Sequence, residues 1–214
     1  MKRVMYIIIF MFSFFAFCNV TNASELKVNA NNIVMYNLND NNIIYQKNKD
    51  DKVYIASLTK IMTILVTLEN VENLDDKVII TNEMLENTSG YAVAGLEVGD
   101  ELTYKDLIYT AYLKSAADAV NALVISVAKD EDKFINLMNS TAKDLKLKNT
   151  KFNNAIGKDS KNNYSTADDI AKLIIFAFKN EDFKKMWETK KYKLNADTVF
   201  TNSIYGKVED LKDK

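Results

Sequence analysis

The segment Val53-Tyr54-Ile55-Ala56-Ser57-Leu58-Thr59-Lys60-Ile61-Met62-Thr63 sets a lone lysine one helical turn after a serine, at the head of an apolar run. From Ser57 to Glu69 the pattern predicts a helix, with Leu58, Ile61, Met62, Ile64, Leu65, Val66 and Leu68 spread nearly all round it. Such a helix belongs in the centre of a domain rather than on its surface. Lys60 is the only charge between Val53 and Glu69. Positions i and i+3 share one helical face, so the Ser57 hydroxyl and the Lys60 amine can meet. Burial disfavours the charged form of lysine and lowers its pKa. A neutral amine beside a hydroxyl can take its proton and create a nucleophile. Ser-x-x-Lys is a short pattern, and alone it equally describes a helix-capping serine with a lysine snorkelling to solvent.

Composition narrows the chemistry. The 214 residues suffice for one domain or slightly more. Charged residues at 27% and hydrophobic ones at 48% fit a globular protein. A formal charge of −1 gives no electrostatic case for nucleic acid or for an acidic membrane surface. Histidine is absent, which excludes a Ser-His-Asp triad, a Cys-His dyad and any histidine metal ligand. A single cysteine excludes an internal disulfide and a thiolate zinc cluster. The base of a hydrolase built on this chain is therefore Lys, Asp, Glu, Tyr or a terminal amine. Proline is absent too, so turns fall to Gly, Asn, Asp and Ser.

Lys2 and Arg3 precede an uncharged apolar run from Val4 to Cys18, followed by Thr21-Asn22-Ala23. That layout predicts a secretory signal peptide over residues 1–23, cleaved after Ala23. The run is shorter than the roughly 20 residues of a spanning helix, which argues against an uncleaved anchor. Phe15-Ala16-Phe17 is unsuited to lipidation at Cys18, so Cys18 reads as part of the signal's apolar core. Residues 24–214 then form the exported domain.

Further along, Ile33-Val34-Met35-Tyr36 and Ile43-Ile44-Tyr45-Gln46 flank Asn39-Asp40-Asn41-Asn42 and predict a β-hairpin. Gly95 to Asp100 is a turn. Helices are expected from Thr103 to about Leu113, about Ala116 to Ala128, and about Lys133 to Leu145. Asn149 to Asn163 reads as a loop. Ser165 or Thr166 caps a further helix to about Phe178. Beyond Trp187 the pattern weakens.

The segment at Ser57 resembles the nucleophile segment of the D-alanyl-D-alanine carboxypeptidases, the low-molecular-mass penicillin-binding proteins of serine peptidase type S11. The resemblance continues in order through Gly95 to Leu107, Tyr112-Leu113-Lys114-Ser115-Ala116-Ala117-Asp118-Ala119, Phe152 to Gly157, and Tyr164 to Asp169. It spans about Ile33 to Phe178. It implies an α/β (α+β) fold of β-lactamase/transpeptidase type, with helices packed on an antiparallel sheet. It implies Ser57 as the acyl-ester nucleophile, Lys60 as the general base and Ser115 as a proton relay. A hydroxyl suits a relay because it both donates and accepts. Without the resemblance, Ser115 reads as the cap of the helix from Ala116.

Two positions depart from the family pattern. Ala117 replaces the asparagine of the second motif, Ser-x-Asn, whose amide would bond substrate and lysine. The third motif, Lys-Thr-Gly on a strand, has no counterpart; Tyr205-Gly206-Lys207 has the wrong order. The family's third motif binds the substrate carboxylate and supplies one oxyanion amide, the other coming from the nucleophile itself. Losing one such donor typically costs about 10²–10³ in turnover. The expectation is a catalytic domain that stops before its C-terminal strands, with two strands in the hairpin. The resemblance further implies peptidoglycan stem peptides ending in D-Ala-D-Ala as substrate, β-lactam antibiotics as inhibitors and no cofactor. Membrane contact would come only through the signal or a C-terminal segment beyond Lys214. The rival readings are a catalytically impaired peptidoglycan-binding homologue, favoured by Ala117 and the missing motif, and a β-lactamase, for which no deacylating carboxylate motif is evident. A non-enzymatic helical surface protein fits the ordered motifs worst.

Overall fold

The computed structural model describes residues 28–194 and 198–201. The expected hairpin is present: β1 (Ile33–Tyr36) and β2 (Ile43–Lys47) run antiparallel, with Ile33 opposite Lys47 and a register shift between Met35 and Tyr36. Its loop is built on Asn and Asp side chains. Asn37 accepts the Asn39 N–H and Asp40 accepts the Asn42 N–H, the expected device in a chain without proline.

Next come β3 (Val53–Tyr54), a single 3₁₀ turn over Ala56–Leu58 and α1 (Thr59–Asn70). Then follow β4 (Lys77–Ile79), the short α2 (Asn82–Leu85), β5 (Glu101–Thr103), α3 (Tyr104–Lys114), α4 (Ala117–Ala128) and α5 (Glu131–Asp144). After the loop through Asn163 come β6 (Tyr164–Ser165), α6 (Ala167–Ala177), α7 (Glu181–Trp187), β7 (Lys191–Lys193) and β8 (Val199–Thr201).

Helix ends follow local chemistry. Thr103 and Asp106 form a capping box at α3, satisfying two orphan donors reciprocally. Asp130 accepts the Lys133 N–H, which starts α5 two residues before the expected Lys133. Of the two candidates before α6, Thr166 is the cap, accepting from the Asp169 N–H.

Helix α1 is the axis of the fold. All nine residues from Thr59 to Thr67 are buried, and α1 touches α3, α4, α5, α6 and α7. Met62, Ile64 and Leu65 meet Leu107, Leu123, Met138, Leu173 and Phe183 in one core, within a compact unit that begins at Asn31. The hairpin lies against α6.

The strands depart from the expectation in number and arrangement. Among the described residues they pair as four separate antiparallel ladders: β1–β2, β3–β6, β4–β5 and β7–β8. The last pair lies beyond Trp187, where the sequence has no clear pattern. Tertiary contacts hold it. Tyr192 stacks on Tyr109 with ring centroids 4.1 Å apart and donates to Asp106 Oδ1 at 2.7 Å, and Phe200 is buried. The expected signal peptide, its cleavage after Ala23, Cys18 and the Tyr205-Gly206-Lys207 segment lie outside the described residues. Among the described residues no helix is long and apolar enough to cross a membrane.

Candidate active site

Three backbone features bring Ser57, Lys60 and Ser115 together. The first is the turn at Ser57. β3 pairs with β6, with Val53 opposite Ser165, and this aims the chain into the 3₁₀ turn. Ala56 takes a left-handed φ of 43°, uncommon for a non-glycine residue. Ser57 is left exposed there, one turn before Lys60.

The second is the buried flank of α1. Thr59, Thr63 and Thr67 recur every fourth residue and form a polar stripe facing the 153–163 loop and the helix backbone. Thr59 Oγ1 accepts from Asn163 at 3.0 Å, Thr63 Oγ1 donates to the Ala155 carbonyl at 2.8 Å, and Thr67 Oγ1 donates to the Thr63 carbonyl at 2.9 Å. Lys60 lies alongside this stripe. Its Nζ donates to the Ile156 carbonyl at 2.6 Å and reaches Ser57 Oγ at 3.3 Å. Lys60 is 5% exposed, so the snorkelling alternative fails. Burial pushes its pKa down to about 8 from the ordinary 10.5. About a tenth of the molecules would then carry a neutral amine at pH 7.

The third is the α3–α4 junction. Ser115 ends α3 in the left-handed conformation, φ 55°, and its Oγ donates to Ser57 Oγ at 3.0 Å. The cap position of α4 is Ala116, with no side-chain cap bond, so Ser115 is not a capping serine for that helix. The junction is fixed from behind by Asp118. Its buried carboxylate accepts the backbone N–H groups of Ala94, Gly95, Leu96 and Ala119. The Ala117 N–H donates to the Ala92 carbonyl at 2.7 Å. Ala117 itself is fully buried, and its methyl offers Lys60 no hydrogen bond.

A cleft of about 390 Å³ opens beside the three side chains, with Ile55, Leu58, Ile61, Ala111, Tyr112 and Trp187 among its walls. Among the described residues no group of three or more His, Cys, Asp or Glu could hold a metal ion.

The sequence profile described as D-alanyl-D-alanine carboxypeptidase, peptidase family S11, matches residues 19–208. The chain belongs to this S11 family. Among its S11 relatives, D-alanyl-D-alanine carboxypeptidase DacF of Bacillus subtilis is 32% identical over 179 residues, which are 82% of this chain and 46% of the relative. A D-alanyl-D-alanine carboxypeptidase of Streptomyces sp. K15 is 36% identical over 169 residues, 73% of this chain and 56% of the relative. The chain thus spans about half the length of these curated relatives. The crystal structure of the Streptomyces K15 DD-transpeptidase superposes with a TM-score of 0.74 at 31% identity, over 80% of this chain and 72% of that one. Penicillin-binding protein 5 of Haemophilus influenzae gives a TM-score of 0.80 at 25% identity, over 87% of this chain and 55% of that one. The S11 fold is therefore the transpeptidase-like α/β fold expected from the motifs.

Sequence reasoning missed two contributors to this candidate site. One is the Ile156 carbonyl, which no side-chain pattern marks. The other is Asp118, quoted within a motif but given no role. Asn154 followed three residues later by Gly157 was the one local signal for the tight turn that presents this carbonyl.

Proposed function

We propose that the chain acts as an exported serine-type D-Ala-D-Ala carboxypeptidase on peptidoglycan stem peptides. The observation that carries this reading is the meeting of Ser57 Oγ with a buried Lys60 amine at 3.3 Å and Ser115 Oγ at 3.0 Å. Ser57 gives its proton to the neutral Lys60 amine, and Oγ attacks the carbonyl carbon of the penultimate D-Ala. The carbonyl oxygen becomes an oxyanion, for which the Ser57 amide is a donor. As the C–N bond breaks, Ser115 passes the proton from Lys60 to the leaving amine and terminal D-Ala departs. Water then adds to the ester, releases the shortened peptide and restores the Ser57 hydroxyl.

A β-lactam offers the same carbonyl chemistry, so penicillins are the expected inhibitors. Export is supported by Lys2, Arg3 and the apolar run behind them, and places the action outside the cytoplasm, at the cell wall or the outer face of the membrane. One observation favours a second reading, an impaired peptidoglycan-binding homologue: the buried Ala117 methyl stands where the second motif has an amide.

A fluorescent penicillin separates the two. The proposed enzyme becomes covalently labelled, and Ser57→Ala abolishes the label. Equal labelling of wild type and Ser57→Ala refutes the nucleophile. A wild-type protein that binds peptidoglycan but never labels is the impaired homologue.

A further inference from the structure

The Ile156 carbonyl that tethers Lys60 is held by a small latch. Asn154 Oδ1 accepts the N–H of Gly157 at 2.8 Å and of Lys158 at 2.7 Å. Its Nδ2 donates to the Lys158 carbonyl and to Asn153 Oδ1, each at 2.9 Å. Three of these four bonds close on Gly157 and Lys158, the residues immediately after Ile156. From the other side, Thr63 fixes the Ala155 carbonyl at 2.8 Å. Gly157 completes the latch with a φ of +89°, seated so closely that an added Cβ would meet the Ala56 carbonyl oxygen at 2.2 Å. The Ile156 carbonyl is thus pinned on both flanks.

A neutral lysine amine has two N–H donors and one lone pair. Tying one N–H to Ile156 restricts rotation of the amine and favours a lone pair facing Ser57. In the family pattern an amide of the second motif shares this work, and Ala117 cannot. We propose that Asn154, acting through the Ile156 carbonyl, positions the Lys60 amine and supplies the orientation that the residue at 117 does not. Asn154 is a positioning residue, since it touches neither substrate nor reacting atoms. The inference rests on the Ser57–Lys60 reading above.

The test follows acylation of the chain by a fluorescent penicillin, resolved into the non-covalent binding constant and the first-order acylation step. Misplacing a reacting group by about 1 Å costs up to about 10²-fold. Asn154→Ala should slow the acylation step about 10- to 100-fold and leave the binding constant unchanged. Asn154→Asp keeps an oxygen that accepts both N–H groups but turns the two donor bonds into contacts between acceptors, so acylation should recover part of the way from the Ala value towards wild type. Asn154→Gln displaces the same amide by one methylene and should behave like Ala, which covers the case of an unstable Ala variant. Equal slowing in Asp and Ala, or wild-type acylation in Ala and Gln, overturns the proposal. A second readout does not depend on catalysis: mass-spectrometric mapping of Lys60 modification by an amine-reactive reagent. Modification should quicken several-fold in Ala and Gln and less in Asp; an unchanged rate in all three overturns the proposal. If wild type never labels while Lys60 modification follows this order, the carboxypeptidase reading falls and the positioning stands.

Discussion

Lys60 is where physical chemistry decides most. A charged side chain on a helix apolar nearly all round must be neutralised, paired or used, and burial pushes this amine down to about 8. On the proposed chemistry Lys60 acts as a base only when deprotonated. The rate of Ser57 acylation should therefore rise about tenfold per pH unit below pH 8 and level off above it. A stopped-flow titration with a chromogenic penicillin from pH 6 to 9 checks this; a flat profile would show that Lys60 does not take the proton. This much was legible in the sequence, because Ser57, Lys60 and the apolar helix lie within one stretch. The placement of Ser115 was legible only through the family resemblance. Its left-handed backbone and its bond to a serine 58 positions away come from tertiary structure.

At the scale of elements, the segment from Asn153 to Lys158 and the turn at Ala56–Leu58 form one unit. Gly157 is the contact between them. Gly157→Ala would force a left-handed alanine into the Ala56 carbonyl and should destabilise the fold by about 2–4 kcal/mol. Urea unfolding measures it, and an unchanged midpoint would mean the loop does not press on the turn. The long helices α3, α4 and α6 stand within one or two residues of their expected ends, because periodicity in all three and capping side chains at α3 and α6 are local. The short elements were invisible for the same reason. Two-residue β3 and β6 are too brief to alternate, and α7, two turns capped by Asn180, is too short to show a stripe.

Across the whole molecule, the hairpin is tied to α6 through one carboxylate. Asp168 accepts from Tyr36 of β1 and from Lys172, each at 2.6 Å, and Lys49 lies 3.5 Å away. Burial alone would raise the Asp168 pKa, but the hydrogen bonds from Lys172 and Tyr36 outweigh it and hold the carboxyl below its usual 3.8. Burial and the Asp168 bond together push the Tyr36 hydroxyl up to about 12. A depressed carboxyl stabilises the fold above its unfolded pKa, and this is lost as pH falls through the folded value. Asp168→Ala should thus cost about 2–3 kcal/mol at pH 7, with the gap to wild type closing below pH 4. Thermal unfolding across that range tests it; a gap independent of pH would exclude the ionised carboxylate as its source. This tie was hidden from sequence, since Tyr36 and Asp168 are 132 positions apart. The cleft beside Ser57 is walled mainly by apolar side chains, Ile55, Leu58, Ile61 and Trp187 among them. Among the described residues no carboxylate lines it, so on the proposed chemistry the amine that opens the reaction is also the group at hand to ready the water that ends it. One basic group would then serve both halves of the turnover, and a single pH dependence would govern them.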